Sequence, residues 1–548
     1  MPDIWRYADL TVHSALRAAV DQDPDRVLVT FTDDRGYTAG EVWARALRAA
    51  RGLRENGIQV GDQVGIFVNN RVELLTAWFG AFAAGCVPVP LNTAQRGSVL
   101  RHMLTLTRVR ILVVEASELP AIAEVLADVP ELRAIVVVGA DSTEAALPSS
   151  LAVFDFADWE NQHAAADPVD VDPRGLATLM LTSGSTGPSK AVMWSHSTAV
   201  MMAVQANEFL DYTPDDVVFT ALPLFHANAL FSSFLGGMLA GARLAVAPRF
   251  SASRFWQQAA EQHATKSSLL GTMPGLLYRR PPSPADRAHG IRHAFMVPAP
   301  LGYYREFEER FNVEITQFYG LTDMNTVVGV PRALLSVART KPTSCGTASD
   351  HWEVKVVDGH DNEVPRGEVG ELVLRNRVPF TGQLGYFGMP DRSVTAWRNL
   401  WFHTRDQFSQ DEDGWLYFAD REQDAIRRSG ENVSSLEVEA VLRLFPGVIE
   451  AAVFAVPAPD AEDDIMAVCQ VDGTWAGDYE ELLRYCCREL AYFAVPRYFQ
   501  AVDEFPRTAS QKIRKDVLRG RGVTADTWDR GPGGRKSLQE RMSRSAAH

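Results

Sequence analysis

The sequence predicts an α/β protein with more than one domain, and three observations support that fold class. First, 548 residues are too many for a single core, because domains usually hold about 100–200 residues. Second, helical periodicity alternates with short apolar runs as far as about residue 330, which is typical of α/β layers built on parallel sheet. Third, residues 345–405 are rich in strand and turn patterns, and a compact unit follows residue 424.

The N-terminal part shows helix and strand signals in turn. Thr38 and Glu41 have the spacing of a capping box, and apolar residues recur at helical intervals until Gly57 ends the pattern. Residues 63–68 then form a predicted strand. The most apolar run, residues 74–91, is interrupted by Gly and Pro and is shorter than the ~20 residues that a membrane span needs. We interpret it as a buried helix followed by a strand.

The C-terminal part predicts a small α+β domain. Strand patterns cover residues 425–428 and 449–456, with a helix over about residues 434–444 between them. The last residues are rich in Arg, Ser and Gly and weakly apolar, which is typical of a mobile tail. We therefore expect a large N-terminal domain with mixed and parallel sheets and a β-rich subdomain (1–421), a hinge (422–424), a C-terminal domain (425–520) and a flexible tail (521–548).

The composition excludes several classes of protein. A hydrophobic content of 46% with 22% charged residues is ordinary for a globular protein. The net charge of -15 argues against a nucleic-acid partner but leaves room for a basic pocket that binds ATP or CoA. Five cysteines without metal-ligand spacing predict free thiols in a reducing compartment. Since the N-terminus lacks signal-peptide order, we expect a cytoplasmic protein without a membrane span.

A loop of small residues between two apolar runs predicts an anion site. The segment is Leu181-Thr-Ser-Gly-Ser-Thr-Gly-Pro-Ser-Lys190. Its glycines allow close approach, its amides and hydroxyls can donate to phosphate oxygens, and its lysine adds a positive charge. It is not a nucleoside-triphosphatase loop, because Gly187 lies three residues before Lys190 and Ala191 follows. Nucleotide phosphate is the predicted ligand, and a flexible linker is the alternative.

Several motifs in a fixed order resemble the adenylate-forming superfamily, which includes acyl-CoA synthetases, luciferases and peptide-synthetase adenylation domains. The resemblance covers the chain from about Asp25 to Arg519. Its motifs are the phosphate loop, Leu222-Pro-Leu-Phe-His226, Phe318-Tyr-Gly-Leu-Thr-Asp323, Gly370-Glu-Leu372, Trp401-Phe-His-Thr-Arg-Asp406, Asp420-Arg421 with Ser429-Gly430-Glu-Asn-Val433, and Pro506-Arg-Thr-Ala-Ser-Gln-Lys512.

The resemblance implies an acyl-CoA ligase that forms a thioester from a carboxylic acid through an acyl-adenylate, using ATP, Mg²⁺ and CoA. It also implies that the small C-terminal domain rotates between the two half-reactions. Three alternatives stay open: a thiolation-only enzyme that receives acyl-adenylate from a partner enzyme, a non-catalytic acyl-adenylate binding protein, and a ligase that loads a carrier protein. The acid and homodimer formation stay open too. The Ala- and Arg-rich composition resembles ligases of actinomycete natural-product pathways.

The resemblance also implies roles for individual residues. Those expected to bind the nucleotide are Ser183, Gly184, Ser185, Thr186, Gly187 and Lys190 at the β- and γ-phosphates, Tyr319 at adenine, Gly320 next to it in the motif, Thr322 near the phosphates, Asp406 at the ribose, and Arg421 on the ribose and phosphate side. Those expected to be catalytic are Lys512, Thr182, His226 and Asp323, with Asp323 also the metal ligand. Gln423 would be the hinge and Gly430 would lie near CoA. Taken singly, Tyr319 and His226 could equally be core residues, and Asp406 could cap a turn.

The chain departs from the family pattern mainly at nucleotide positions. Asp323 stands where a glutamate usually binds Mg²⁺, and its carboxylate is one methylene shorter. Val297-Pro298 adds bulk beside adenine, Arg405 replaces a glycine before Asp406, and Gln511 replaces a glycine before Lys512. Because a misplacement of ~1 Å can cost about 100-fold in rate, we hypothesise that adenylation is slow while thioester formation survives.

Overall fold

The computed structural model contains two compact units. It describes residues 5–139, 147–149, 151–182, 189–271, 273–297, 303–341, 343–421, 426–428, 431–433, 435–457, 463–490, 494–508 and 512–531. The larger unit comprises Met1–Pro300, Tyr304–Glu353 and Arg375–Leu400, and the smaller unit comprises Leu301–Tyr303, Val354–Leu374 and Trp401–His548.

A five-stranded parallel sheet forms one layer of the larger unit. Its strands are short runs of Val, Ile and Leu that suit burial in a parallel sheet. The helix Val72–Ala83 precedes one edge strand and is buried along almost its whole length, as predicted for the most apolar run. The strands lie in the order Val87–Pro90, Gln63–Phe67, Ile111–Glu115, Ala134–Val138 and Ala152–Asp155.

A seven-stranded sheet forms a second layer of the larger unit. Its neighbours pair in parallel except at one edge, where Val27–Phe31 and Gly36–Thr38 are antiparallel. The two sheets confirm the predicted α/β class with parallel sheet. The strand order is Glu314–Thr316, His293–Val297, Lys266–Leu270, Val217–Thr220, Arg243–Val246, Val27–Phe31 and Gly36–Thr38.

Two small sheets of the larger unit carry residues of the predicted phosphate site. In the first, Leu176–Thr182 pairs antiparallel with Lys190–Ser195, and Gly385–Tyr386 pairs with the other edge of Lys190–Ser195. Thr182 and Lys190 are paired in register, so the predicted phosphate loop connects two paired residues. In the second, the strands are Phe318–Leu321, Asn325–Gly329 and Thr347–Ala348.

The helices of the larger unit follow the predicted local signals. Glu41 N–H donates to Thr38 Oγ1 at 3.1 Å and Thr38 N–H donates to Glu41 Oε2 at 2.8 Å, which confirms the capping box. None of the helices in the described residues is long and apolar enough to span a membrane. The helices are Trp5–Ala8, Val12–Gln22, Ala39–Glu55, Val72–Ala83, Gly97–Thr107, Leu119–Ala123, Phe156–Asn161, His196–Leu210, Gly236–Ala240, Phe255–Glu261, Met273–Tyr278, Tyr304–Phe311, Leu335–Ala338 and Pro390–Ala396, with a π-helix at Asn228–Leu235.

The smaller unit is α+β, as the sequence predicts. Its core lies between helices and a four-stranded sheet, and it includes the buried thiols Cys469 and Cys486, which are free as expected. That sheet has the order Val448–Pro457, Asp463–Val471, Tyr498–Val502 and Trp528–Asp529. The other strands that lie wholly or mostly in this unit are Trp352–Val357, Gly370–Asn376, Phe402–Gln410, Leu416–Arg421, Ile426–Arg428 and Glu431–Val433, and the helices are Ser435–Arg443, Tyr479–Glu489 and Lys515–Arg521.

The start of the C-terminal tail needs correction. The sequence predicted a flexible tail from residue 521, but Trp528–Asp529 is the edge strand of the sheet and pairs with Tyr498 and Phe499. Asp529 accepts hydrogen bonds from Arg497 Nε at 3.0 Å and from a second guanidinium nitrogen at 3.1 Å. The average composition of the segment did not reveal Trp528 and Asp529, which together hold it against the sheet. The predicted hinge, residues 422–424, lies outside the described residues, so the boundary between domains stays a prediction.

Asp216 is a buried charge centre at the N-terminal end of the strand Val217–Thr220. Its carboxylate is fully buried and lies 3.4 Å from Lys266 Nζ, and it forms an ion pair with Arg292. Thr265 Oγ1 donates to it at 2.7 Å and Thr213 N–H donates at 2.9 Å. These contacts offset the cost of burying a carboxylate, which would otherwise be several kcal/mol.

Replacing Asp216 with asparagine is expected to lower the free energy of unfolding by about 3–5 kcal/mol, because buried Lys266 would lose its counter-charge. Urea unfolding monitored by circular dichroism measures the change. Asp21→Asn is the matched control, because Asp21 pairs with Arg17 at the exposed surface and should change stability by less than about 0.5 kcal/mol. Equal losses in the two variants would contradict the role of the buried carboxylate.

Candidate active site

Three side chains meet at the end of the predicted phosphate loop. Lys190 begins its strand, Asp323 lies in the turn between Phe318–Leu321 and Asn325–Gly329, and Tyr386 lies on the strand that pairs with Lys190–Ser195. Tyr386 Oη donates to Asp323 Oδ1 at 2.5 Å. Lys190 Nζ lies 3.9 Å from the same oxygen and 4.2 Å from the centre of the Tyr386 ring. The structure thus brings together the predicted residues Lys190 and Asp323, and it adds Tyr386.

The turn that carries Thr322 and Asp323 is held by its neighbours. Trp194 Nε1 donates to the Thr322 carbonyl oxygen at 2.8 Å. Asn325, whose φ is 63°, donates from Nδ2 to the carbonyl oxygens of Thr198 and Thr381 at 3.1 and 3.2 Å. Together these contacts fix the backbone on both sides of the predicted metal ligand.

Gly320 and Tyr319 lie on the strand that leads into this turn. A side chain at Gly320 would place a Cβ 2.4 Å from the Asn325 carbonyl oxygen, so only glycine fits there. Tyr319 is buried, with 8% of its surface exposed. Its assignment to adenine stays a prediction. Thr182 Oγ1 is buried and has no hydrogen-bond partner within the described ranges.

Most of the predicted phosphate loop lies outside the described residues. Ser183, Gly184, Ser185, Thr186 and Gly187 lie outside the described residues, so their roles at the phosphates stay predictions. The same holds for Gln423, Gly430, Pro298 and Gln511. Arg421 ends the strand Leu416–Arg421, and its side chain is likewise outside the described part of the structure.

The motif around His226 is held by Asn70, a residue that the sequence did not single out. Asn70 is buried, and its Nδ2 donates to the carbonyl oxygens of Leu222 and Ala247 at 3.0 and 2.9 Å. Its Oδ1 accepts the Leu224 N–H at 2.8 Å. One amide therefore satisfies three backbone groups at the end of the seven-stranded sheet. His226 follows this segment, half-buried, and its ring centre lies 4.6 Å from that of Phe225.

Replacing Asn70 with alanine is expected to lower the free energy of unfolding by about 2–3 kcal/mol, because three buried backbone groups would lose their partner. Guanidinium unfolding followed by tryptophan fluorescence measures the change. Asn56→Ala is the matched control, because Asn56 makes a single side-chain hydrogen bond, to Gly52 at a helix end. A similar small loss in both variants would show that Asn70 does not organise the motif.

Asp406 lies on a strand of the smaller unit that Glu371 holds in an unusual conformation. Arg405 has a φ of 60°, the left-handed region that favours glycine. Its N–H donates to Glu371 Oε1 at 2.8 Å, while Glu371 Oε2 pairs with His403 Nδ1 at 2.9 Å. Asp406 is buried, and its N–H donates to Thr404 Oγ1 at 3.0 Å. Arginine therefore replaces the glycine, but the backbone keeps the left-handed conformation that glycine favours.

Lys512 lies on a loop of the smaller unit and is exposed. Its N–H donates to Thr508 Oγ1 at 3.1 Å, and its carbonyl oxygen accepts the Thr508 N–H at 2.7 Å. Arg507 forms an ion pair with Glu450 on one side of the loop. Lys515 forms another with the buried Glu439 at 2.7 Å on the other side. The loop backbone is held on both sides while the lysine side chain reaches solvent.

Asp323 is the carboxylate available to a metal ion at the phosphate loop, where it lies beside Lys190. Within the described residues, no group of three or more His, Cys, Asp and Glu side chains could hold a metal ion. Mg²⁺ that arrives with ATP needs only one or two protein carboxylates, because phosphate and water oxygens complete its octahedron. The residues present therefore fit Mg²⁺ carried by ATP, and the assignment of Asp323 as its ligand stays a prediction.

The sequence matches two family models in order along the chain. The model described as "AMP-binding enzyme" matches residues 16–384, and the model described as "AMP-binding enzyme C-terminal domain" matches residues 437–512. Curated relatives include the crotonobetaine/carnitine–CoA ligase of Shigella flexneri, which is 29% identical over 470 residues, or 84% of this chain and 89% of the relative. The same ligase from Escherichia coli O157:H7 matches equally well.

Solved structures have the same fold. ATP-bound MatB from Rhodopseudomonas palustris superposes with a TM-score of 0.81 at 26% identity, over 93% of this chain and 99% of MatB. The anthranilate CoA ligase AuaEII in complex with anthranoyl-AMP superposes with a TM-score of 0.84 at 23% identity, over 94% of this chain and 97% of AuaEII. The second likeness concerns the fold alone.

Proposed function

The chain belongs to the family of AMP-binding enzymes, and from this premise we propose that it is an acyl-CoA ligase that joins a carboxylic acid to CoA through an acyl-adenylate. The observation that carries the proposal is the meeting of Lys190 and Asp323 at the end of the phosphate loop. A lysine and a carboxylate this close together suit a nucleotide triphosphate and the Mg²⁺ that it carries. CoA is proposed as the thiol that accepts the acyl group because curated relatives are CoA ligases.

The chemistry requires two group transfers. A carboxylate oxygen attacks the α-phosphorus of ATP, the bond to the β-phosphate bridge breaks, and pyrophosphate leaves. The CoA sulfur then attacks the acyl carbon of the adenylate, the thiol proton is released to water, the acyl carbon–oxygen bond breaks, and AMP leaves. Neither step needs a covalent bond to the enzyme, so the protein contributes positioning and charge stabilisation.

Four residues have separate tasks in these steps. In the larger unit, Lys190 would bind the β- and γ-phosphates, and Asp323 would hold the Mg²⁺ that ATP carries. In the smaller unit, Asp406 accepts hydrogen bonds from the ribose hydroxyls, and Lys512 neutralises charge at the α-phosphate during adenylation. A rotation about residues 422–424 between the half-reactions is part of the proposal.

An assay of both products tests the proposed function. The purified chain is incubated with ATP, Mg²⁺, CoA and a panel of acids: aliphatic, aromatic, dicarboxylic, betaine, polycyclic and terpenoid. Mass spectrometry then quantifies AMP and acyl-CoA. One acid that yields both products in equal amounts is the expected result. AMP without a thioester, or neither product from any acid or from preformed acyl-adenylates, would overturn the proposal.

A second candidate function is thiolation of an acyl-adenylate made by another enzyme. The shortened carboxylate of Asp323 favours it, because Mg²⁺ requires near-ideal ligand distances and this carboxylate is one methylene shorter than that of glutamate. Thioester rates from ATP plus acid are compared with rates from preformed acyl-adenylate, each with CoA. Equal rates exclude the second candidate, whereas a fast reaction only from the adenylate supports it. Replacing CoA with a free carrier protein shows whether the chain loads a carrier, and calorimetry with acyl-adenylate detects binding without turnover.

A further inference from the structure

A single tyrosine contacts both charged residues at the end of the phosphate loop. The Tyr386 hydroxyl donates to Asp323 Oδ1, and the face of its ring lies 4.2 Å from Lys190 Nζ. Tyr386 is buried, with 4% of its surface exposed. None of the roles derived from the sequence motifs falls on this residue. Its contacts nevertheless link the predicted metal ligand to the predicted phosphate ligand.

The hydroxyl determines where the short Asp323 side chain points. A hydrogen bond to an ionised carboxylate is stronger than one between neutral groups. Tyr386 and Lys190 both approach Oδ1, so neither contact uses Oδ2. This arrangement leaves Oδ2 without a contact to either residue, so that this oxygen can serve a cation. A carboxylate one methylene shorter than glutamate gains most from such a support, because Mg²⁺ tolerates little deviation from its ideal distances.

The ring has a second role at Lys190. An ammonium group over an aromatic face is attracted by the ring, with a strength of about 0.5–2 kcal/mol. Lys190 is therefore held between the ring and the carboxylate before any phosphate arrives. Preorganised charges of this kind lower the cost of binding a triphosphate.

The backbone around Tyr386 is held by hydrogen bonds to two neighbouring segments. Tyr386 N–H donates to Ser393 Oγ at 2.8 Å, and Tyr386 pairs in register with Val192. Phe387 N–H donates to the Ala191 carbonyl oxygen at 2.8 Å. Gly385, with a φ of 125° and Ser393 against it, turns the chain into this short strand. The tyrosine is thus attached to the strand that begins with Lys190.

We propose that Tyr386 is a positioning residue for Mg²⁺-dependent ATP binding, acting through Asp323 by its hydroxyl and through Lys190 by its ring. The proposal deepens the proposed function and rests on it for the identity of the nucleotide. Tyr386→Phe removes only the hydroxyl, whereas Tyr386→Leu removes the hydroxyl and the ring. The two variants therefore separate support of the cation ligand from support of the phosphate ligand.

Calorimetry tests the proposal without relying on turnover. ATP is titrated into the wild type and each variant over a series of Mg²⁺ concentrations, and AMP is titrated in EDTA as a reference ligand without β- and γ-phosphates. We expect Tyr386→Phe to weaken ATP binding about 10-fold in saturating Mg²⁺, to require more Mg²⁺ for half-maximal binding, and to change AMP affinity by less than about two-fold. Tyr386→Leu should also weaken ATP binding in the absence of Mg²⁺, because Lys190 loses its ring contact.

Tyr37→Phe is the matched control. The Tyr37 hydroxyl donates to Asp34 at 2.6 Å, and the Arg35 guanidinium lies 3.9 Å from the ring centre, so the same kinds of contact occur outside the site. This variant should bind ATP and AMP like the wild type.

The outcomes distinguish this proposal from the proposed function. If Tyr386→Phe keeps wild-type Mg²⁺ dependence, or weakens ATP and AMP equally, the positioning role is overturned. If the wild type makes no thioester but the variant still loses Mg²⁺-dependent ATP binding, the proposed function fails and the positioning role stands. If the wild type does not bind ATP in Mg²⁺, both fail.

Discussion

Replacing Lys512 with alanine is expected to slow acyl-adenylate formation by about 100- to 1,000-fold, the usual cost of removing one group that stabilises charge in a transition state. Negative charge gathers at the α-phosphate as the carboxylate attacks, and the lysine would neutralise it. The loop around Lys512 is held by the ion pairs of Arg507 and Lys515, so the substitution should remove the ammonium group without disturbing the backbone.

The measurement separates the two half-reactions. ATP–pyrophosphate exchange with a substrate acid reports adenylation, and thioester formation from preformed acyl-adenylate reports thiolation. Lys355→Ala, at a lysine elsewhere in the smaller unit, is the control and should leave both rates unchanged. Equal losses in the two half-reactions would indicate a structural role for Lys512, and no loss would remove it from the mechanism.

Lowering the pH from 7 to 5 is expected to destabilise the larger unit strongly, because three buried histidines must stay neutral when it is folded. Burial lowers the pKa of His13 to about 4, of His196 to about 3 and of His293 to about 4. The neighbouring His13 also lowers the pKa of His196, while Asp170 raises that of His13. His13 and His196 lie edge to face, with ring centres 6.1 Å apart.

The direction follows from proton binding. In the unfolded chain each histidine titrates near pH 6.5, so below that pH the unfolded state binds more protons than the folded state. The stabilising contribution is complete above pH 6.5 and is lost as the pH falls toward 4. Between pH 7 and 5 each histidine lowers the free energy of unfolding by about 2 kcal/mol, so the three together lower it by on the order of 5 kcal/mol.

Denaturant unfolding at pH 7, 6 and 5 measures this loss. His13→Gln removes one titrating group and should flatten the dependence of the free energy of unfolding on pH. His360→Gln is the control, because His360 is exposed and should leave the dependence unchanged. If His13→Gln and the wild type lost stability in parallel, the buried imidazoles would not be the cause.

Features coded by neighbouring residues could be predicted from the sequence. The capping box of Thr38 and Glu41, and the helix and strand within residues 74–91, depend on local spacing and apolarity, and the structure confirms them. The roles assigned to Lys190 and Asp323 came from motif order and not from local pattern. Such motifs mark a site without showing its contacts.

Features that depend on long-range contacts could not be predicted. Tyr386 meets Asp323 across 63 positions of sequence, and Asn70 meets Leu222 across 152. Neither residue has a local pattern that differs from an ordinary buried side chain. At Arg405 the sequence was misleading in the other direction. Arginine in place of glycine suggested a changed backbone, but Glu371 on a neighbouring strand holds Arg405 in the left-handed conformation.

The edge strand Trp528–Asp529 has a practical consequence for anyone who shortens the gene. A chain cut at residue 520 would lose Asp529, one of the two carboxylates that pair with Arg497. It would also expose the hydrogen-bonding edge of Tyr498–Val502. Bare strand edges recruit strands from other molecules. Such a fragment would be expected to aggregate during purification, whereas one that extends through residue 531 keeps its edge covered.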